Sequence, residues 1–194
     1  MEAGHAAVAR HLNGLADLAA RAALELAPAA AELAGRVIAT LEAGHKLMFC
    51  GNGGSAADAQ HMATEYVVRF RSNRRALPAI ALTTDTSLLT AAANDLGFEQ
   101  VFARQVEALG VRGDLLFLHS TSGASPNLLA AARTARAQGV VSVGLLARGG
   151  GALRALVDHA LLVQTESGAH AQELHLAVSH AICDIVEQHF RGGG

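Results

Sequence analysis

From about Ala6 to Leu41 the chain is rich in Ala and Leu, with polar residues returning at helical spacing and Pro28 in the middle. This pattern predicts two consecutive helices interrupted near Pro28, because an internal proline removes one helix hydrogen bond and collides with the preceding turn. After Gly44 the pattern changes. The runs KLMFC, PAIAL, DLLFL, VVSVGLL and HALLV are apolar and of strand length, and helical segments and Gly or Ser loops separate them. Strands alternating with helices predict a parallel sheet covered on both faces, in about five β/α units closed by a last helix from roughly Ala171 to Phe190. The expected fold class is α/β, a doubly wound three-layer α/β/α sandwich. Ligands in such folds sit at the carboxyl ends of the strands, so chemistry is expected in the loops after Cys50 and Leu118.

Composition narrows the picture without changing it. With 194 residues, 51% of them apolar and 16% charged, the chain can bury one compact core, so a single domain is expected over 1–194, with helices in 1–44 and the α/β core in 45–190. A net charge of −2 gives no electrostatic reason to expect nucleic acid or an acidic membrane surface as partner. Cys50 and Cys183 each lie in an apolar run, which reads as buried thiols in a reducing, cytoplasmic compartment. The N-terminus has no secretory pattern, and no run approaches the roughly eighteen apolar residues of a membrane span. Gly149 to Gly151 reads as a flexible turn and Gly192 to Gly194 as a frayed end.

The loop GNGGSAAD runs from a strand into a helix, with Ser55 expected as N-cap and Asp58 as its capping-box partner. Its spacing is neither the dinucleotide fingerprint nor a Walker A loop, so no nucleotide cofactor is expected. The loop HSTSGASPN offers the hydroxyls of Ser120, Thr121, Ser122 and Ser125, and Ser125-Pro126 reads as an N-cap and first helical residue. Hydroxyls beside a helix amino end make a phosphate cradle without lysine. An ordinary glycine turn and an ordinary serine cap are the plain alternatives for each loop alone.

His61 and Glu65 stand four residues apart and share a helix face, as do Gln172 and His180 at eight, with His175 somewhat off that line. A single histidine on an apolar helix is most often a packed core residue. As a set, these residues could hold a divalent metal such as zinc or act as acid and base around a carbonyl substrate, and spacing alone does not choose.

The strings GNGGSAADAQH, LTTDTSLLTAAANDLGFEQVFARQV, STSG and QELH followed by His180 resemble the phosphoheptose isomerases of the sugar isomerase (SIS) fold, in order from about Lys46 to Phe190. The resemblance implies a five-stranded parallel sheet of flavodoxin-like order preceded by N-terminal helices that pack and oligomerise. It implies a homotetramer with active sites near subunit interfaces, and conversion of sedoheptulose 7-phosphate into D-glycero-D-manno-heptose 7-phosphate through an enediol. By the same resemblance Asn52, Gly53, Gly54 and Ser55 form the substrate loop, and Ser120, Thr121, Ser122 and Ser125 the phosphate loop. Asn94 and Asp95 contact sugar hydroxyls, and Arg69 is an active-site arginine. His61, Glu65, Gln172 and His180 are associated with one zinc per subunit. Glu65 and His180 form the acid/base pair, Glu65 at the carbon proton and His180 at the oxygens. Because tight zinc binding weakens a carboxylate as a base, catalysis is the first role expected of Glu65 and metal binding the second.

The chain departs from the family pattern at Ala124, in place of the Asn of STSGNS, and at Ala169, His170 and Ala171, in place of Asp-Arg-Ile. The LLARGGG turn and His119 also differ, and a core or loop role is the default for His119, His45, His159 and His189. Arg71, Arg74 and Arg75 read as a solvated loop. The alternatives are a non-catalytic SIS protein that binds the replication initiator DnaA, a sugar-phosphate sensor domain, and an isomerase for another sugar phosphate; retention of Glu65 and His180 favours the enzyme.

Overall fold

The computed structural model describes residues 2–191, so the terminal Gly192 to Gly194 lie outside the described residues. Helix α1 (Glu2–Glu42) leads into β1 (Leu47–Gly51), α2 (Gly54–Val67), β2 (Ala79–Ala81), α3 (Thr86–Leu96) and α4 (Ala103–Leu109). The chain continues through β3 (Leu115–Ser120), α5 (Pro126–Gln138), β4 (Val141–Ala147), β5 (His159–Val163) and α6 (Gly168–Phe190).

Where two N-terminal helices are predicted there is one continuous helix with Pro28 inside it. Its buried positions, Leu18, Ala22, Leu26, Ala30, Leu33, Ala34, Val37 and Leu41, form one uninterrupted stripe past Pro28. Pro28 itself is exposed, so its ring points away from that stripe. Packing along the whole stripe outweighs the roughly 3 kcal/mol of helix propensity that an internal proline forfeits.

The five strands are all parallel in the order β2-β1-β3-β4-β5. Alternation along the strands divides the core between the two faces. Leu47 and Phe49 of β1 and Leu115 and Phe117 of β3 join α1, α2 and α6 in one cluster. Met48, Cys50, Leu116 and Leu118 face α4 and α5 in the other. This is the expected three-layer α/β/α sandwich. The connection from β1 goes to one side, to β2, whereas β3 lies on its other side, which makes β1/β3 the topological switch point. Gly51 pairs in register with His119, so the loops after β1 and β3 leave the sheet at the same level.

Candidate active site

The first loop starts its helix differently from the sequence reading. Gly53, with φ 57°, is the N-cap of α2 and gives no side-chain cap, while Ser55 lies inside the helix and is buried. The capping box is therefore absent: Ser55 Oγ accepts a hydrogen bond from Gln172 Nε2 at 3.4 Å, and Asp58 Oδ2 is buried without a partner. Burial raises the Asp58 carboxyl above its ordinary range, with nearby His61 opposing. Gln172 passes so close to the loop that a Cβ on Gly54 would come within 2.7 Å of its Nε2. A glycine at 54 is what lets Gln172 of α6 reach the loop after β1.

Along α2, His61 and Glu65 meet one turn apart, with 3.2 Å between His61 Nε2 and Glu65 Oε1. From α6, His180 brings its Nε2 to 2.9 Å from His61 Nε2 and stacks on Phe70. One ligand atom from each of His61, Glu65 and His180 lies within 4.8 Å of the others. Burial and the neighbouring His61 hold the His180 imidazole below its ordinary pKa, with Glu65 pulling the other way. Two imidazoles and a carboxylate converging from facing helices are a donor set that suits zinc, and equally a pair of proton-transfer groups. Gln172 points to Ser55, one side of this convergence.

The second loop is held from below. Ser120 Oγ accepts from the Gly123 amide at 3.0 Å, and Ser122 Oγ accepts from the Ala124 amide at 3.3 Å. Ser125 is the N-cap of α5 and Pro126 begins the helix, as predicted. Gly123 has φ 62°, and a Cβ there would overlap the Gly150 carbonyl oxygen. Gly150 and Gly151 of the Gly149 to Gly151 segment thus lie in contact with the serine loop. The Leu153 amide, just beyond the segment, donates to the Gly123 carbonyl at 2.9 Å.

The molecule's likenesses agree with this layout. Residues 10–147 match the family described as SIS domain. A phosphoheptose isomerase of Roseiflexus sp. (strain RS-1) is 54% identical over 162 residues, covering 84% of this chain and 82% of that protein. The chain belongs to the phosphoheptose isomerase family. A phosphoheptose isomerase structure from Francisella tularensis superposes with a TM-score of 0.93 at 36% identity, covering 95% of this chain and 98% of that one. One from Neisseria gonorrhoeae gives 0.89 at 38% identity, covering 95% of this chain and 98% of that one.

Some residues assigned by likeness to the phosphoheptose isomerase family are exposed and bonded to near neighbours in sequence. Arg69 is exposed and donates to Asn73 Oδ1 at 2.6 Å. Asn94 and Asp95 are exposed on α3, where Asn94 Nδ2 donates to Asp95 Oδ1 at 2.7 Å.

Three supporting residues escape a sequence reading. Asn127 is buried and exchanges two hydrogen bonds with Asn52, at 2.9 and 2.8 Å, tying the first loop to the helix that follows the second. Arg74 is not solvated: its side chain is 0% exposed and donates to the carbonyls of Glu65 and Tyr66. Opposite it, buried Glu187 accepts the amides of Phe70, Arg71 and Ser72. Arg71 and Arg75 are exposed as expected. Of the default histidines, His119 is buried in the core, where desolvation and nearby His175 push its pKa down to about 3. His175 is buried as well, beside the Leu146 carbonyl, whereas His189 is a surface residue bonded to Glu42.

Proposed function

We propose that this chain catalyses the aldose-ketose isomerisation of its family, converting sedoheptulose 7-phosphate into D-glycero-D-manno-heptose 7-phosphate. The observation that carries the reading is the convergence of His61, Glu65 and His180 next to two loops rich in hydroxyl and amide donors. Glu65 takes a proton from C1 of the ketose while His180 delivers one to the C2 oxygen, which gives the enediol. The C1 hydroxyl proton then returns to His180 and the carbon proton is placed on C2, which gives the aldose with no net change in oxidation. The lowered proton affinity of His180 suits a neutral imidazole that gives a proton at one oxygen and regains it from the other.

Asn52, Gly53, Gly54 and Ser55 hold the reacting end of the sugar, with Gln172 fixing the Ser55 hydroxyl. Ser120, Thr121, Ser122 and Ser125, with the amino end of α5, receive the phosphate. Arg69, Asn94 and Asp95 complete the site, by likeness to the family, as contacts to the substrate. His61, Glu65 and His180, with Gln172 beside them, hold one zinc per subunit. That ion would supply Lewis-acid polarisation of the substrate carbonyl.

The chain works as a homotetramer in the cytoplasm, in this reading. The support for assembly is apolar surface along α1, where Leu24 is 83% exposed beside an alanine-lined groove that includes Ala19, Ala23 and Ala27 and runs against α6. Both cysteines are buried free thiols, and among the described residues no helix is long and apolar enough to cross a membrane. Incubation with sedoheptulose 7-phosphate in deuterated water tests the activity. Aldose product carrying solvent deuterium at C2 is expected, and absence of turnover by folded protein overturns the reading.

A further inference from the structure

A second group of side chains with metal-ligating chemistry lies away from the active-site cluster, where α1 crosses the start of α6. On α6, His170 and Glu173 are three residues apart and share the face turned to α1. Gln172 points elsewhere, to Ser55. From α1, His11 brings Nε2 to 3.0 Å from Glu173 Oε1, and its ring lies 4.4 Å from that of His170 between centroids. One ligand atom from each of the three lies within 4.8 Å of the others.

The remaining donor atoms are what give this group its meaning. His170 Nε2 and Glu173 Oε2 are both shielded from solvent and have no hydrogen-bond partner. Two solvent-shielded, unsatisfied polar atoms within one such cluster are costly unless something there accepts a lone pair from each. The backbone has been shaped to bring the ring in. A Cβ on Gly14 would stand 3.1 Å from His170 Cε1, so the absence of a side chain on α1 lets the imidazole lie against the helix. Ser167 caps α6 through the His170 amide and fixes its first turn. Glu173 supplies the negative charge that a cation beside a helix amino end requires.

We propose that His11, His170 and Glu173 form a second divalent-cation site, of the zinc-binding two-histidine, one-carboxylate type, that clasps α1 to α6. It is built on His170, which stands where the family pattern has arginine, so it is a property of this chain rather than of the isomerase reaction.

The test is zinc titration against a competing chelator on the full chain in a His61→Ala/His180→Ala background, which makes the result independent of whether the first cluster takes metal. One zinc per chain is expected in that background, with a thermal midpoint that rises on adding zinc. Adding His170→Gln should weaken zinc binding at least a hundredfold and abolish the thermal shift. His11→Gln, a change at an exposed side chain on the other helix that leaves α6 untouched, should do the same. Cobalt substitution should give tetrahedral visible bands that disappear with either change. Folded background protein that takes up no zinc, or zinc binding undiminished by both His170→Gln and His11→Gln, overturns the site.

Discussion

Two groups of side chains join α6 to α2 and to the segment after it, and they are built on opposite principles. In the His61, Glu65 and His180 cluster the side chains touch mainly one another, and His61 is 44% exposed. Beyond the end of α2 and two turns further along α6, the side chains of Arg74 and Glu187 are almost wholly buried and spend their polar groups on backbone: three carbonyls for Arg74 and three amides for Glu187. Glu65 belongs to both groups, its carboxylate in the first and its carbonyl oxygen in the second. The contrast separates side chains left available to one another and to solvent from side chains nearly saturated by backbone partners.

The largest expected effect tests the available side. Glu65→Gln and His180→Gln should each lower turnover at least about a hundredfold, the usual cost of losing a general acid or base. Their thermal midpoints should stay close to wild type, and near-normal turnover in either would remove that residue from the reaction.

Next comes the saturated side. Arg74→Ala should cost about 2 kcal/mol in urea unfolding, below the range for breaking a buried pair because Glu187 keeps its three backbone donors. An unchanged midpoint would show that Arg74 supports nothing. Burial alone would raise the Glu187 carboxyl, yet the three amides and Arg74 hold it below the usual glutamate range. A depressed folded-state pKa contributes stability above the unfolded-state value, and that contribution is lost as pH falls toward the folded-state value. Glu187→Gln should therefore flatten the acid limb of a stability-pH curve, and an acid limb identical to wild type would count against the pairing.

The smallest effect sharpens the link between the loops. Asn127→Ala leaves Asn52 without its partner and should raise KM severalfold, on the order of 1 kcal/mol, while kcat changes less. A change in kcat alone would place Asn52 in the chemistry rather than in positioning.

Much of this was legible in the chain, for reasons that particular residues make plain. The five strand runs could be read because parallel strands buried on both faces are continuous apolar runs, and His61 with Glu65 because one helix turn is a local spacing. Arg74, Glu187 and Asn127 were not legible. Glu187 meets Phe70 across 117 residues and Asn127 meets Asn52 across 75, and no local pattern encodes such pairings. Arg74 was hidden among arginines that are solvated. Pro28 misled because propensity is local, whereas the stripe from Leu18 to Leu41 is decided by what packs on it. Ser55 misled because Gln172, far along the chain, claims its hydroxyl.

Helix α6 is the common part of nearly every arrangement described: His170 and Glu173 meet α1, Gln172 meets Ser55, His180 meets His61, and Glu187 meets the segment after α2. Each depends on a fixed angle about one axis. Inserting or deleting a single residue between Glu173 and His180 would swing everything beyond it by about 100°. Substitutions on α6 can be absorbed one contact at a time, but a change in its length cannot. Spacing along this helix is therefore under tighter constraint than the identity of most of its residues.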